Sequence, residues 1–360
     1  MTKIDGNPII LMVGPSFTAH GGVASVCAEY ARFGILERLN ILYLATFEHG
    51  SPFHKIGVAV SAMVTVLRHL RRGNVRALHA HSATNASFWR KAMFCMAARL
   101  YRVPYVLHLH SGDMPAFLAR SNWLAKYLAI KLLLAADRVV VLSPEWAQWL
   151  QKIAPRARAV VVPNPVQLPS IAAAPRRSAA PSILFLGRLE AAKGIPELLV
   201  AFADVLRVFP DATLSLGGEG DFESVRQQTR KLSIESSVKV LGWVSGQSKH
   251  DLLATCWVFA LPSHHEGLPV GMLEAMAFGM PCIGTPVGAV SGLLAASGGG
   301  VVVPVNQAKD LASSLMVLLG DAALRLQMGQ SAAVHVRENY AAEIVERRLR
   351  EIYENLPNYN

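Results

Sequence analysis

Short apolar segments alternate with longer amphipathic segments along most of the chain. The longer segments repeat apolar residues every three or four positions, as in 55–72, where Ile56, Val60, Met63 and Leu67 share one face. Strand-like segments alternating with helical ones predict parallel sheets covered by helices on both faces. In the first half the predicted strands are 8–14, 41–47, 77–81, 104–109, 138–142 and 159–162.

The alternation stops at residues 166–181, where no periodicity remains and prolines recur, as expected of a linker. It resumes with predicted strands at 183–186, 213–216, 238–241, 257–261 and 301–303. Because 360 residues exceed one ordinary core, we expect two doubly wound α/β domains, 1–165 and 182–341. The charged last helix, within about 342–360, is expected to pack back on the first domain.

Targeting signals are not evident in the sequence. No uninterrupted apolar stretch reaches the roughly 18 to 20 residues of a membrane span, and the N-terminal apolar segment is too short for a signal peptide. The cysteines form no CxxC pair, so we expect reduced, buried thiols in a cytoplasmic protein without a zinc-type ligand cluster. The four cysteines are Cys27, Cys95, Cys256 and Cys282.

Positive charge is concentrated in the first half of the chain. Residues 1–180 hold 21 Lys and Arg against 7 Asp and Glu, and residues 181–360 hold 14 against 18, which together give the net charge of +10. A basic half beside a near-neutral half indicates an anionic partner for the first half. No nucleic-acid motif is present, so nucleic acid is not expected and an anionic membrane surface is the remaining candidate.

The basic helical stretch 114–136 is relevant to that partner. Trp123 and Tyr127 lie near Lys126 and Lys131 in the sequence, which is typical of a helix lying on a membrane interface. A helix that faces the core and has a basic outer face fits the pattern equally well. The charge of the first half favours the surface interpretation slightly.

Candidate chemistry is densest in residues 261–288, which read as the end of a strand, a loop, a short helix, a strand and a turn. Glu266 lies in the loop and Glu274 in the helix. A helix N-terminus suits phosphate, and carboxylates suit the hydroxyl groups of a sugar or ribose. The alternative is an ordinary packed unit whose Glu residues cap the helix and face water.

Two other loops follow predicted strands, at the edge where open α/β sheets bind ligands. Gly21-Gly22 ends the loop after the first strand and would let backbone N–H groups approach a phosphate. Arg188 and Lys193 lie in the loop after the first strand of the second domain and suit a diphosphate. Glycine pairs also make plain turns, and a solvated surface loop explains the two cations as well.

Histidines mark two strand ends of the first domain. His79 and His81 end one predicted strand, and His108 and His110 end another, each pair on one face of its strand. A single strand-end histidine is usually structural. Two such pairs at one edge favour a place near a ligand.

Taken together, these motifs resemble the retaining GT-B glycosyltransferases of family 4. The resemblance rests on the Gly21-Gly22 loop, GRLEAAKG at 187–194, GGEGD at 217–221, LGWV at 241–244 and, above all, the two glutamates embedded in EGLPVGMLEAMA from Glu266. It covers nearly the whole chain, in the family's order. It implies a GT-B fold, in which two Rossmann-like domains face a central cleft.

The resemblance also implies roles for individual residues. Arg188 and Lys193 would bind the diphosphate of a sugar nucleotide, Glu274 the ribose and Glu266 the transferring sugar. His110 would lie beside the reacting sugar, with His81 nearer the acceptor; which of His81, His108 and His110 is nearest stays open. The residues expected to contact the donor are Gly21, Gly22, Arg188, Lys193, Gly242, Val244, Gly267, Leu268, Pro269 and Glu274.

The activity implied is transfer of a sugar from a UDP- or GDP-sugar to a lipid-linked or cell-surface saccharide. The enzyme would act on the inner face of the plasma membrane, by a front-face mechanism without a metal or other cofactor. The alternatives are a sugar-nucleotide epimerase or hydrolase of the same fold, and a non-catalytic membrane-associated scaffold. The sequence leaves the donor base, the donor sugar, the acceptor and the oligomeric state undetermined.

Overall fold

The protein is described by a computed structural model that covers residues 8–169 and 178–359. The chain divides into two compact units: residues 1–165 with 342–360, and residues 166–341. The central part of the predicted linker, 170–177, lies outside the described residues. The described ends of that segment belong to the second unit.

The first unit is built on a six-stranded parallel sheet in the order β2-β1-β3-β4-β5-β6. Its strands are β1 Ile9–Gly14, β2 Ile41–Ala45, β3 Val75–Ser82, β4 Tyr105–Leu109, β5 Arg138–Val141 and β6 Ala159–Val161. Its helices are α1 Gly22–Arg32, α2 Ile35–Arg38, α3 Pro52–Arg72, α4 Ala86–Leu100, α5 Met114–Arg120, α6 Trp123–Ala135 and α7 Pro144–Ile153, followed at the end of the chain by α15 Ala342–Glu354.

Burial follows position in this sheet. β1 and β4 are buried at every residue, whereas the edge strands β2 and β6 are half-buried throughout. Central strands of a parallel sheet are covered on both faces, which is why they read as continuous apolar segments. The helices supply the rest of the core, with Phe88 and Leu133 fully buried.

The predicted helix over 114–136 is wrong in one respect, because the structure contains two helices there. α5 ends at Arg120, and Ser121 and Asn122 have extended backbones. The Asn122 side chain then accepts a hydrogen bond from the Ala125 N–H and caps a new helix. Asparagine is among the preferred N-cap residues, so the break was available from local chemistry.

Helix α15 packs within the first unit through polar contacts. Arg38 forms an ion pair of 2.6 Å with Glu346, and the Tyr353 hydroxyl lies 2.6 Å from His79 Nδ1. Arg76 donates to the carbonyls of Leu356 and Pro357 just beyond the helix. The helix also buries Val345, Leu349 and Ile352, so the C-terminal segment belongs to this unit through both apolar and polar contacts.

The second unit is also built on a six-stranded parallel sheet, in the order β12-β11-β10-β7-β8-β9. Three strands precede the reversal of strand addition in this sheet, whereas two precede it in the first unit. Its strands are β7 Ser182–Leu186, β8 Thr213–Gly217, β9 Val238–Gly242, β10 Val258–Leu261, β11 Cys282–Gly284 and β12 Gly300–Val302. Its helices are α8 Ile195–Val208, α9 Phe222–Leu232, α10 Gly246–Thr255, α11 Val270–Ala277, α12 Val290–Ser297, α13 Ala308–Gly320 and α14 Ala322–Tyr340.

The predicted fold class, two doubly wound parallel sheets, is confirmed. In each sheet the direction of strand addition reverses once, between β1 and β3 in the first unit and between β7 and β10 in the second. Open α/β sheets bind ligands at the carboxyl ends of the strands beside such a switch point. Helices α2 and α12 were not predicted.

Two further observations bear on the sequence-based expectations. All four cysteines are buried free thiols. Within the described ranges, no single helix has the length and apolarity to cross a bilayer; α13 and α14 would meet those criteria only jointly, and they are bent by 100° at their junction.

Candidate functional site

The loops after β7 and β10 meet at the switch point of the second unit. Lys193 follows β7, Glu266 follows β10, and their side chains form an ion pair of 2.7 Å. Lys193 Nζ also donates to the carbonyl of His265, and Ser263 Oγ donates to Glu266 at 2.7 Å. The two charged side chains are only 22% and 11% exposed, so this pair is less screened than a surface pair.

A second ion pair lies on the same unit. Lys249 Nζ on α10 is 2.6 Å from Glu274 on α11, and their side chains are 23% and 13% exposed. Lys249 was not among the predicted site residues. Lys249 belongs to no recognisable motif in the sequence. It reaches Glu274 only because α10 packs near α11 in the folded unit.

Two glycines allow these loops to approach each other closely. Gly194 has a φ of +72°, and a Cβ there would lie 2.0 Å from the carbonyl oxygen of Pro262. Gly288 has a φ of +56°, and a Cβ there would lie 2.2 Å from the carbonyl oxygen of Glu266. Side chains at either position would strain the backbone and separate the loops. The loops after β7, β10 and β11 therefore form one closely packed edge.

Two helices begin within or just after residues 261–288, namely α11 and α12. Pro269 is the N-cap of α11, one position earlier than the helix N1 position that its chemistry favours. Leu268 is buried, and the Gly267 carbonyl accepts a hydrogen bond from the Ala289 N–H. Ala289 is in turn the N-cap of the unpredicted helix α12. Both helices direct free N–H groups to the carboxyl edge of the sheet, which suits an anion.

The structure places the other predicted donor residues at the same edge but does not gather all of them. Arg188 is 70% exposed and pairs with Glu190 at 3.3 Å, whereas Lys193 pairs with Glu266. Gly242 ends β9 with a φ of +70°, and its carbonyl accepts from the Gly218 N–H. Val244 lies just beyond, within contact of a Cβ built on Gly217.

In the first unit, the predicted glycine loop lies at the start of α1. Gly21 is the N-cap with a φ of +135°, and Gly22 is the first helical residue. A Cβ built on either glycine meets no atom within 4 Å. The N-terminus of α1 is therefore sterically open among the described residues, at the carboxyl end of β1.

The four strand-end histidines form one stacked cluster, which we call the histidine row: His79, His81, His108 and His110. The rings of His79 and His81 stack at 4.7 Å between centroids, and those of His108 and His110 at 4.1 Å. His110 alone among the four is partly exposed. Its Nε2 lies 2.7 Å from His81 Nδ1, and its ring stacks on those of His81 and His108.

Burial keeps this row neutral. It lowers the pKa of His79 to about 3, with a smaller effect from His110. The pKa of His110 is lowered to about 3 by burial, against a smaller opposing effect of the nearby Asn164 side chain. The pKa values of His81 and His108 fall well below the usual range, because burial and the neighbouring histidines act in the same direction.

The described residues also contain one group with metal-ligand geometry. His79, His81 and His108 each place a ring nitrogen within 4.8 Å of the other two. Neutral imidazoles are the ligands that zinc, copper and nickel accept. Both ring nitrogens of His79 are already hydrogen-bonded, one to Tyr353 and the other to His108, so its place in a ligand set would require these bonds to break.

Two doubly wound units, each built on a six-stranded parallel sheet, and charged residues at a switch point are typical of a GT-B protein. A family model described as "Glycosyl transferases group 1" matches residues 170–335, and one described as "Glycosyltransferase Family 4" matches residues 21–168. The chain belongs to the GT-B glycosyltransferases of family 4.

Two curated relatives illustrate the sequence similarity. The "Phosphatidyl-myo-inositol mannosyltransferase" of Mycobacterium leprae is 28% identical over 81% of this chain and 76% of its own length. The "GDP-mannose-dependent monoacylated alpha-(1-6)-phosphatidylinositol monomannoside mannosyltransferase" of Corynebacterium glutamicum is 33% identical over 49% of this chain and 48% of its own length. Several other matches likewise cover about half the length of the relative.

Solved structures support the fold. "Sucrose-phosphate synthase" from Thermosynechococcus elongatus superposes with a TM-score of 0.79 at 18% identity, over 97% of this chain and 98% of that one. At this identity the likeness concerns the fold and not the substrate.

Proposed function

We propose that the protein transfers a sugar from a nucleotide-diphosphate sugar, a UDP- or GDP-sugar, to a lipid-linked or cell-surface saccharide. The observation that carries the proposal is the set of two half-buried Lys–Glu pairs, Lys193–Glu266 and Lys249–Glu274, at the carboxyl edge of the second unit. GDP-mannose is the first donor to test, because the relative from Corynebacterium glutamicum is named for it.

The paired charges suit an anionic, hydroxyl-rich ligand. An incoming diphosphate competes with Glu266 for Lys193, and a sugar hydroxyl can then donate to the released carboxylate. Glu274 accepts from the ribose in the same way while Lys249 holds the carboxylate in place. The free N–H groups of α11 and α12 face the same edge and add positive potential for the phosphates.

The chemistry follows from stabilising the leaving group. Negative charge builds on the diphosphate as the glycosidic bond breaks, and Lys193, Arg188 and the helix N-termini stabilise that charge. In the proposed mechanism the acceptor attacks from the face that the leaving group vacates, so the configuration is retained. The departing phosphate takes the acceptor proton, and no metal or cofactor takes part. His110 lies beside the reacting sugar.

The proposal of a lipid-linked acceptor is based on the surface of the first unit. The outer side of α6 exposes Trp123 and Tyr127, at 79% and 52%, while Ala129, Leu132 and Leu133 face the core. Lys131 Nζ lies 5.4 Å from the Tyr127 ring. Aromatic rings beside lysines suit the interface of an anionic membrane. We therefore place the enzyme on the inner face of the plasma membrane, with a lipid-linked acceptor.

Donor binding and transfer test the proposal. A panel of UDP-, GDP- and ADP-sugars is screened for a rise in unfolding temperature, and the stabilising donor is then assayed with lipid acceptors. We expect Lys193→Ala and Glu274→Ala each to lower kcat/KM by about 10²- to 10³-fold, the cost of removing one preorganised charge contact. Arg207→Ala is the matched control, because its ion pair with Asp204 lies on an exposed helix face.

The outcome also separates the other candidate functions. A donor consumed without any acceptor indicates an epimerase or hydrolase, and no stabilisation by any sugar nucleotide indicates a non-catalytic scaffold. Full transfer activity in both variants would contradict the assignment of this site.

A further inference from the structure

A cluster of positive charge lies at the carboxyl edge of the first unit, where the loop after β2 meets the first turns of α3 and α4. The Arg90 guanidinium on α4 lies 5.3 Å from the centre of the Phe47 ring, and Lys55 Nζ on α3 lies 5.8 Å from the same centre. Arg90 is half-buried and Lys55 is exposed. We call Phe47, Lys55, Arg90 and the adjoining Lys91 the basic cluster.

The Arg90 guanidinium has unused hydrogen-bond donors. A guanidinium carries five N–H donors. In the part of the chain that the structure describes, Arg90 Nε is buried without a hydrogen-bond partner, and the contact of this guanidinium is with the Phe47 ring. A cation–π contact holds the side chain in place but satisfies none of its donors. A buried donor without a partner costs free energy, and an oxygen bound there would remove that cost.

Lys91 adds a second cation beneath Arg90. Its side chain is 1% exposed, and its Nζ donates to Thr46 Oγ1 at 2.5 Å. The Thr46 hydroxyl in turn donates to the Gly14 carbonyl, so it is a neutral partner and not a counter-charge. Burial lowers the pKa of Lys91 to about 7, and the neighbouring Arg90 acts in the same direction. An anion bound at Arg90 would therefore also favour the charged form of Lys91.

The groups around the basic cluster supply little negative charge. The nearby thiols of Cys27 and Cys95 are uncharged, because burial raises the pKa of each to about 12. The carboxylate of the loop, Glu48, lies 3.2 Å from His54 and accepts a hydrogen bond from the Thr18 hydroxyl. Within the described ranges, no carboxylate forms an ion pair with a cation of the basic cluster. The cluster lacks an anion.

A purely structural role explains only part of the cluster. The bond from Lys91 to Thr46 ties α4 to the end of β2, which is a structural task. Arg90 makes no such bond, and an apolar side chain would pack on Phe47 without the cost of desolvating a cation. The groups left for a ligand are therefore Arg90 and the exposed Lys55, at the edge where open α/β sheets bind ligands.

We propose that Arg90 and Lys55 bind the phosphate group of a lipid-linked acceptor. The planar fork of Arg90 suits two phosphate oxygens, and the flexible Lys55 side chain can turn towards the same group. Phe53 and Ile56, beside Lys55 on one face of α3, are 87% and 62% exposed. A hydrocarbon chain attached to the phosphate would have this apolar surface to follow. The identity of the bound molecule as the acceptor rests on the function proposed above; the phosphate site does not.

Binding of hexyl phosphate to the full chain, measured by titration calorimetry, tests the site without sugar transfer. We expect hexyl phosphate to bind at least about tenfold more tightly than inorganic phosphate, because each buried CH₂ group adds about 0.8 kcal/mol. Hexyl β-glucoside, which has the same chain and no charge, should bind much more weakly than hexyl phosphate. No binding of hexyl phosphate would overturn the proposal. Equal affinity for inorganic and hexyl phosphate would indicate a site for the free anion and would also overturn it.

Substitutions show whether the probe binds at the basic cluster. Arg90→Gln should weaken hexyl phosphate binding about tenfold, as expected for one charge-assisted hydrogen bond. Lys55→Gln should weaken it by several fold, and because this side chain is exposed, the variant tests the site even if Arg90→Gln does not fold. Arg99→Gln, an exposed arginine in the last turn of α4, is the matched control. Wild-type affinity in both cluster variants would place the probe elsewhere and overturn the proposal.

Anionic membrane lipids carry the same phosphate chemistry, and a vesicle experiment separates this source from the acceptor. Flotation with phosphatidylcholine vesicles, with and without phosphatidylglycerol, compares the wild type with Arg90→Gln. We expect equal flotation, because the half-buried Arg90 is reserved for the phosphate of the acceptor. A variant that loses vesicle binding but keeps its affinity for hexyl phosphate would identify a membrane contact and overturn the proposal.

Steady-state kinetics connect the phosphate site with sugar transfer. Two acceptors are compared: the lipid acceptor with its phosphate, and the same saccharide on an uncharged alkyl chain. We expect Arg90→Gln to reduce the preference for the phosphate-bearing acceptor about tenfold through its KM, with the donor KM unchanged. A raised donor KM with an unchanged acceptor preference would assign Arg90 to the donor and overturn the proposal. If the wild type transfers no sugar, the proposed function fails and hexyl phosphate binding still decides whether the phosphate site exists.

Discussion

Both units are six-stranded, doubly wound parallel sheets, and yet they carry different chemistry at the carboxyl edge. The second unit holds charged pairs, Lys193–Glu266 and Lys249–Glu274, that stay partly exposed. The first holds four neutral imidazoles, three of them fully buried. A charged pair can exchange partners with an ionic ligand, whereas a buried neutral row can only donate, accept or relay protons. The same position in a fold therefore serves different tasks according to its solvation.

The largest expected effect is that of low pH on the stability contributed by the histidine row, which distinguishes this edge from the charged edge of the second unit. The folded-state pKa values of His79 and His110 are lowered to about 3, below the value of about 6.5 for unfolded chains. Between these values the unfolded state binds more protons, so the stability that the row contributes is complete above pH 6.5 and is lost as the pH falls towards 3. We expect the free energy of unfolding to fall by about 1.4 kcal/mol per pH unit for each such histidine.

Urea denaturation at pH 7, 6 and 5 measures this slope, with circular dichroism as the signal. His54→Gln is the control variant, because that histidine is 48% exposed and lies outside the histidine row. If the free energy of unfolding changes by less than about 1.4 kcal/mol between pH 6 and 5, equivalent to less than one proton, the row is not held neutral. The contrast between the two edges would then disappear.

A substitution of Lys249 tests whether donor binding at the charged edge depends on both Lys–Glu ion pairs. Lys249→Met leaves the Glu274 carboxylate half-buried without its cation, and we expect the donor KM to rise about tenfold, equivalent to about 1.4 kcal/mol of binding, with kcat little changed. Steady-state transfer kinetics measure the effect. Lys309→Met, an exposed lysine on α13, is the matched control. An unchanged KM would mean that Lys249 does not support donor binding.

The smallest expected effect concerns the outer surface of the first unit. Trp123→Ser together with Lys126→Ser should weaken binding to vesicles containing anionic lipid by several fold, because one interfacial aromatic side chain and roughly 1 kcal/mol of electrostatic attraction are lost. Flotation at low and high salt measures this, and Val317→Ser, an exposed apolar residue of the second unit, is the control. Vesicle binding that depends neither on salt concentration nor on anionic lipid would contradict the proposed membrane contact.

Much of the fold could be predicted from local patterns. The buried central strands are continuous apolar segments, and the helices carry three- and four-residue spacing, so the alternation was visible without contacts. Helix α12 was missed because its eight residues follow a glycine-containing turn and show no polar face. The break between α5 and α6 was missed because one N-cap, Asn122, interrupts an otherwise continuous helical pattern.

The site was predictable only in part. The motifs around Arg188, Lys193, Glu266 and Glu274 predict a donor site, and both the site and the roles of these residues in it stay predictions. Lys249 carries no motif, and the pairing of Lys193 with Glu266 joins loops far apart in the chain. His108 and His110 were predicted to share one face of a strand end, and only the structure shows that the His110 ring is hydrogen-bonded to His81 on the neighbouring strand.

The sequence by itself determined the doubly wound class, the family and the identity of the charged residues, because those properties depend on periodicity and on short motifs. Only the tertiary structure decided which charged side chains form ion pairs, which histidines are buried and against which residues helix α15 packs. Those outcomes depend on contacts between distant segments and on burial, and burial sets whether an imidazole or a carboxylate carries charge. Tyr353, near the end of the chain, illustrates this, since only folding places its hydroxyl against His79.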